Sequence, residues 1–190
     1  MKRKARTLLL LFMTAIFTIG MPSCDGPDYA AFRGIRTVDF FDIATNNFIS
    51  SPASITGDSM AMLIQPQVDF FTQAKFRGTM DEAWAFSPPD PIMANEITDI
   101  RITSDKDMYG IPAGQNLAST LTFGNEQNVK LSLHQFLEDY LEKGTIFYHN
   151  EIIFVFFDGK PATGTYQFVI ELEDNNGHVF TSGTSQLTWQ

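Results

Sequence analysis

Apolar and polar residues alternate most regularly in the last third of the chain. Every second position from Tyr166 to Leu172 is apolar, and these positions alternate with Gln167, Glu171 and, after Leu172, Glu173. A period of two predicts a strand with one face in the core and one in water. The preceding run 152–157 is apolar at both parities, which predicts a strand covered on both faces.

Shorter apolar runs predict further strands along most of the chain. They lie near residues 35–40, 60–64 and 97–102, with turn-prone residues between them. Pro66 lacks an amide donor and therefore suits a strand end or an edge. The proline-rich stretch 87–91 excludes helix and central strand, so it is predicted to be a loop or a crossing between sheets. The turn 174–177 leads to two final strands that end at Trp189.

One segment has the period of an amphipathic α-helix, over about residues 132–143. The stripe consists of Leu133, Phe136, Leu137, Tyr140 and Leu141. Ser132 with Gln135 forms a capping signal, and Gly144 suits the C-terminal end. We predict that this helix covers the second face of the 152–157 strand.

The stretch Gly164-Thr-Tyr-Gln-Phe168 resembles the start of the penultimate strand of immunoglobulin-like sandwiches. In those domains the tyrosine hydroxyl ties the strand to the preceding corner. Phe168 stands where antibody domains have a cysteine. The resemblance implies a mainly β chain, an antiparallel immunoglobulin-like β-sandwich with one amphipathic α-helix. The alternative is an ordinary β-hairpin on another antiparallel fold.

The first 23 residues have the pattern of a bacterial lipoprotein signal peptide. Four basic residues precede an apolar core at 8–19, which is shorter than the roughly 20 residues that span a bilayer. Met21-Pro-Ser-Cys24 resembles a lipobox, with Pro22 as the departure from the pattern. This resemblance implies that Cys24 is acylated and begins the mature chain. The alternative is an ordinary secretory signal followed by a free thiol.

The predicted organisation is a signal peptide over 1–23, a tether over 24–30 and a single β-sandwich domain over 31–190. Together with the strand 97–102, the loop 111–114, the helix and the final strands, the leader resembles a lipoprotein family of Bacteroidales that has no assigned activity. That resemblance implies a lipid-anchored protein of the outer membrane, on either its periplasmic or its surface face. The membrane would be a partner through the lipid anchor.

Charge excludes one class of partner for the mature chain. Without residues 1–23, nine basic and 22 acidic residues remain, which gives a net charge of −13. Nucleic-acid binding depends on clustered basic residues, so we predict no nucleic-acid partner. No cysteine remains for a disulfide after Cys24, and the 18 phenylalanines supply apolar surface for packing instead.

The sequence contains no recognisable catalytic constellation, and we predict a protein without enzymatic activity, cofactor or metal. The three histidines lack zinc-ligand spacing, and no nucleophile elbow is present. Oxygen ligands suited to calcium occur in polar turns, without the spacing of an EF-hand. They are Asp105, Asp107, Asp174 and Asn176. Hydrogen bonding within the turns explains these residues as well.

Aromatic residues beside loops give the only indication of a binding surface. Trp84 and Phe86 precede the loop 87–91, and Tyr109 lies beside Gly110 and Pro112. These three rings are candidates for contact with a glycan or a protein, and the alternative is that they fill the edge of the core. The sequence is therefore consistent with two functions. One is a non-catalytic envelope lipoprotein whose loops bind a protein or a glycan, and the other is a structural subunit of an envelope assembly such as an adhesive filament.

Overall fold

A computed structural model describes residues 29–49, 53–71, 92–125, 129–141 and 152–190, with the backbone alone at Ala53, Tyr140 and Leu141. Strands dominate this part of the chain. They are β1 (Tyr29–Asp42), β2 (Asn47–Ile49), β3 (Ala53–Ile55), β4 (Ser59–Phe71), β5 (Ile92–Met93), β6 (Ile97–Ser104), β7 (Thr122–Gly124), β8 (Ile153–Asp158), β9 (Gly164–Tyr166), β10 (Phe168–Asp174), β11 (Val179–Gly183) and β12 (Leu187–Trp189). The helical segments are a 3-10 turn (Ala118–Thr120), helix α1 (Leu133–Phe136) and a π-helical turn (Leu137–Leu141).

The strands form three sheets. The largest has the order β2-β1-β4-β8-β7, with β5 beside the start of β1, and the others have the orders β11-β10-β6 and β3-β12-β9. Every pair is antiparallel except β1 with β5 and β12 with β3. The prediction of a mainly β, antiparallel fold is confirmed, and the arrangement is consistent with a β-sandwich.

The main core lies between the largest sheet and the β11-β10-β6 sheet. The ring of Phe168 in β10 lies 6.1 Å from that of Phe40 in β1 and 5.2 Å from that of Phe157 in β8. Phe32 and Phe180 make an edge contact at 4.7 Å. These contacts join the two sheets because alternate residues of each strand point to the same face.

Strand β8 is buried on both faces, as its continuous apolar run predicted. Ile153, Val155 and Phe157 belong to the main core, whereas Phe156 belongs to a second cluster on the opposite face of the sheet. The predicted position of the helix is wrong. Phe136 of α1 stacks on Phe123 at 5.7 Å, and both belong to the main core, so the helix packs on the opposite side of the sheet from the second cluster.

The predicted helix is also shorter as an α-helix than its periodicity indicated. The capping box is present, with Ser132 Oγ accepting from Gln135 N and Gln135 Oε1 accepting from Ser132 N. After Phe136 the backbone changes to a π-helical turn, which adds a residue to the turn and shifts the 3.6-residue stripe. The predicted residues 142 and 143 lie outside the described part of the chain.

Two strand boundaries differ from a simple reading of the sequence. β4 continues through Pro66, but its pairing with β8 ends at Ile64, so the proline has a described neighbour on one side only. The alternating run from Tyr166 divides at Gln167, whose backbone N–H donates to Asp105 Oδ1 at 2.8 Å instead of to a strand. The two parts, β9 and β10, therefore belong to different sheets.

The sandwich has two ends that differ in chemistry. The N-terminal end contains the start of β1, the end of β4 and the turn between β10 and β11, because Tyr29 pairs with Phe71 and Asp174 pairs with Ile97. β1 begins at Tyr29, inside the segment that the sequence assigned to the tether. The distal end contains the loops 105–117 and 158–164. At about 3.3 Å per residue, the two ends of β1 are separated by roughly 40 Å.

Candidate functional site

An open groove of about 950 Å³ lies at the N-terminal end, between β1 and the β10–β11 turn. Its walls combine apolar side chains with a small number of polar ones, which is the usual composition of a ligand site. The residues that line it are Ala31, Phe32, Arg33, Phe71, Ala94, Asn95, Asp174, Asn176, Gly177, His178, Val179 and Phe180.

Asp174 is the central residue of the groove's polar floor, which we define as Asn95, Asp174 and His178. Its side chain is 0% exposed, and its two oxygens accept four hydrogen bonds. Oδ1 accepts from the backbone N–H groups of Asn176 and His178, both at 2.9 Å. Oδ2 accepts from Asn95 Nδ2 at 2.9 Å and lies 3.0 Å from His178 Nδ1. A buried carboxylate is tolerated here because its acceptor positions are occupied.

These contacts also fix the charge state of Asp174. Burial by itself raises the pKa of the carboxyl group, but the hydrogen bonds from Asn95, His178 and Asn176 outweigh it. The net pKa of Asp174 lies well below its ordinary value. The floor of the groove therefore has a fixed negative charge at neutral pH.

His178 connects this buried charge to the solvent. Its side chain is 69% exposed, yet Nδ1 lies within hydrogen-bond distance of Asp174. A neutral imidazole that donates from Nδ1 leaves Nε2 as a hydrogen-bond acceptor. The ring is thus oriented by a carboxylate while its other nitrogen is available to a ligand.

Asn95 ties the polar floor to the edge of β1. Its Oδ1 accepts from Phe32 N at 2.8 Å, and its Nδ2 donates to Phe32 O at 3.1 Å as well as to Asp174. Nearby, Asn175 N donates to Glu96 O at 2.8 Å. The β10–β11 turn is therefore bonded to the start of β6 and to β1, which preforms the groove.

Apolar side chains at the start of β1 form what we term the apolar rim, beside the groove: Tyr29, Phe71 and Ile92, of which Phe71 and Ile92 are exposed. Tyr29 and Phe71 stack at 5.7 Å with nearly parallel rings. Ile92 pairs with Tyr29 on the other side of β1. The rim is therefore one continuous surface across three neighbouring strands.

An ion pair lies beside the rim. Arg33 Nε and Asp69 Oδ2 are 3.1 Å apart, and both side chains are more than half exposed. Exposed pairs of this kind contribute little to stability, typically about 0–1 kcal/mol. Arg33 can therefore exchange Asp69 for an anionic group of a ligand at little cost.

The groove does not contain the aromatic residues that the sequence singled out. Tyr109 lies at the distal end, where its ring packs against the core and its hydroxyl donates to Gly159 O at 2.7 Å. Burial, with a smaller contribution from the nearby charge of Asp158, raises the pKa of Tyr109 to about 12. The ring is half-buried and joins two loops. Trp84 and Phe86, like Cys24, lie outside the described residues.

The four oxygen-bearing residues considered for calcium do not share one site. Asp174 and Asn176 are at the N-terminal end, whereas Asp105 and Asp107 are in the distal loop 105–117. Asp107 Oδ1 accepts from Ala113 N at 2.9 Å, as expected for a turn residue. In the described part of the chain, no group of three or more His, Cys, Asp or Glu side chains is arranged to hold a metal ion.

The groove combines several kinds of side chain that bind ligands. A histidine oriented by a buried carboxylate resembles two members of a catalytic triad, but no serine, threonine or cysteine is among the groove-lining residues that the structure describes. What remains is an aromatic wall, a fixed negative charge, a histidine and an exchangeable arginine. Such a set can stack on a ring or apolar group and hydrogen-bond to polar groups beside it.

Sequence reasoning missed the polar floor. The Asp174-Asn-Asn-Gly177 turn contained a local signal, since aspartate often bonds to backbone N–H groups two residues further on. Asn95 offered no such signal because it is 79 residues from Asp174. The sequence also contains no local signal of the apolar rim, because Tyr29 and Ile92 are neighbours only through strand pairing.

Among the described residues, no helix is both long enough and apolar enough to cross a membrane. Comparison of the chain with protein-family models, with curated proteins and with solved structures gives no match.

Proposed function

We propose that this protein is a lipid-anchored protein of the bacterial cell envelope, without catalytic activity, that binds a protein or a glycan in the groove at its N-terminal end. The observation that carries the binding role is the preformed groove itself. It combines apolar side chains, among them Val179 and the aromatic ring of Phe180, with the polar floor and Arg33. Aromatic rings beside a few fixed polar groups are the usual means of recognising such ligands.

The lipid anchor is supported by the sequence of the leader. A basic start, an apolar core too short to span a bilayer and the cysteine at the lipobox position together favour acylation of Cys24. Each buried methylene of an acyl chain contributes about 0.8 kcal/mol, so several chains suffice to hold a domain on a membrane. The outer membrane is the proposed location, as the resemblance to lipoproteins of Bacteroidales implies.

We further propose that the sandwich is immunoglobulin-like. Such domains place their first, second, fifth and fourth strands in one sheet and the third, sixth and seventh in the other. The order β1-β4-β8-β7 and the order β6-β10-β11 follow this arrangement when β1, β4, β6, β7, β8, β10 and β11 are counted in chain order. Of the other strands, β2 and β5 lie beside β1, and β3, β9 and β12 form the small third sheet.

The tyrosine at the corner before β10 supports the same fold. Tyr166 is buried, and its hydroxyl donates to the carbonyl of Ala162 at 2.5 Å, four residues upstream. Phe168 occupies the core position where antibody domains have a disulfide cysteine, and it contacts rings of the opposite sheet. Aromatic packing would thus replace the covalent link between the sheets.

The binding role is tested by photocrosslinking in living cells. A photoreactive phenylalanine analogue is placed at Asn176, which lines the groove, and in a matched variant at Ala113, which is exposed in the distal loop. We expect adducts from Asn176 and none from Ala113. Digestion of the adduct with a protease or with glycosidases then identifies the ligand as protein or glycan.

Two results would contradict the proposal. Absence of adducts from both positions would remove the binding role, and adducts from Ala113 alone would move the site to the distal loops near Tyr109. An adduct between two copies of this chain would favour the alternative function, a structural subunit of an envelope assembly. That alternative is supported by β11, which pairs only with β10 among the described strands and leaves an edge available for association.

A further inference from the structure

The exposed apolar residues of this protein are concentrated near the start of β1. In the part of the chain that the structure describes, six large apolar side chains are exposed. Three of them, Phe70, Phe71 and Ile92, lie near the start of β1, and Phe71 and Ile92 belong to the apolar rim. Exposure of neighbouring apolar residues marks a surface that contacts another apolar partner. The rim itself contains no charged residue, and among the described residues beside it Arg33 and Asp69 are paired with each other.

The distance along the chain restricts which partner can reach this surface. Cys24 precedes Tyr29 by five residues, and each residue extends a chain by at most about 3.6 Å. If Cys24 is acylated, as the proposed function requires, the start of β1 remains within about 18 Å of the bilayer. Phe48, by contrast, pairs with Phe41 near the other end of β1, roughly 40 Å away.

We infer that the apolar rim rests on the surface of the bilayer that holds the acyl chains of Cys24, so that lipid is the partner of the rim. Phe71 and Ile92 supply apolar surface for the region below the headgroups, and the hydroxyl of Tyr29 suits the boundary with water. The contact depends on apolar burial and not on charge. The mature chain has a net charge of −13, which favours zwitterionic over anionic lipid.

This arrangement orients the whole domain. The loops 105–117 and 158–164 point away from the membrane, and the groove opens beside the bilayer surface. A ligand of the groove must then approach along the membrane, which favours ligands that are themselves attached to the envelope. The contact adds to the lipid anchor without replacing it, since one small apolar surface alone binds membranes weakly.

The test is electron paramagnetic resonance of the natively acylated full chain in vesicles of phosphatidylcholine and phosphatidylethanolamine. A spin label is attached to Ile92→Cys and, in the matched control, to Phe48→Cys. Both native side chains are 65% exposed, so neither substitution disturbs the core. Cys24 is the only native cysteine and is blocked by its acyl group, so the label reaches the introduced residue alone.

We expect the label at position 92 to be more accessible to oxygen than to a water-soluble nickel complex, and the label at 48 to show the reverse. Increasing the salt concentration from 0.1 to 0.5 M should leave both results unchanged, since the contact is apolar. If the protein floats with the vesicles but both labels are in water, the apolar rim does not contact the bilayer, and only the lipid anchor is supported. Both labels in lipid would refute the orientation, and failure to float would refute the anchor and the inference together.

Discussion

Removal of the Asp174 side chain is the sharpest test of the groove's polar floor. Asp174→Ala deletes the acceptor of four hydrogen bonds and leaves the N–H groups of Asn176 and His178 without that partner. Asn95 Nδ2 keeps its bond to Phe32 O, so only some of the donors to Asp174 lose their hydrogen bond without another in its place. Each lost bond to a charged acceptor is worth about 1.5–3 kcal/mol, and such losses are not additive.

We therefore expect Asp174→Ala to lower the free energy of unfolding by about 3–5 kcal/mol. The assay is urea denaturation followed by circular dichroism at pH 7, with Asp69→Ala as the matched control. Asp69 is bonded to the groove residue Arg33 but is exposed in a surface ion pair, so its loss should cost less than about 1 kcal/mol. Equal and small effects from both variants would refute the account of the polar floor.

The pH dependence gives a second, independent readout of the same residue. The folded-state pKa of Asp174 lies below the unfolded value of about 3.9, so its charge stabilises the fold above that pH. The stabilisation should decline as the pH falls below about 4 toward the folded-state pKa. The stability difference between the wild type and Asp174→Asn should therefore shrink in that range. A difference that grows on acidification would show that the carboxylate is not the stabilised form.

Three further predictions concern the core, the corner and the anchor. Phe168→Ala, at a fully buried position between the sheets, should lower the free energy of unfolding by about 3–5 kcal/mol in urea denaturation, and a loss below 1 kcal/mol would place the residue at the surface. Tyr166→Phe should cost about 1–2 kcal/mol in the same assay through the lost bond to Ala162, and an unchanged midpoint would argue against the tyrosine corner. Cys24→Ala should move the protein from the membrane fraction to the soluble fraction on ultracentrifugation, and full retention would contradict the lipid anchor.

The parts of the fold that follow from local pattern were predictable. The alternation from Tyr166 to Leu172 located a half-buried strand, and the double apolar parity of 152–157 indicated a strand between two apolar environments. The capping box at Ser132 was likewise readable, because it depends on residues three positions apart. Each of these signals acts over a few residues, where side-chain spacing and backbone geometry are directly related.

Features that depend on distant residues were not predictable in the same way. The helix was assigned to the wrong face of the sheet because its amphipathic stripe indicates an apolar neighbour without identifying which one. The break of the Tyr166 run at Gln167 depends on Asp105, 62 residues away. Tyr109 looked like a displayed ring, but its hydroxyl is bonded to Gly159 and 50 residues separate the two.

At the candidate site, too, features set by nearby residues were predictable and features set by distant residues were not. The turn at Asp174 was predicted, whereas its bond to Asn95 and the resulting groove required strand pairing between β6 and β10. The apolar rim also depends on pairing, since Ile92 and Phe71 are neighbours of Tyr29 on opposite sides of β1. A single sequence carries no direct record of which strands are adjacent.

Mass spectrometry of the mature protein purified from native membranes tests the central claim most directly. The account predicts that the chain begins at Cys24, with a diacylglycerol thioether on its sulfur and an acyl group on its amine. An unmodified thiol at Cys24, or a chain that still carries residues 1–23, would contradict it.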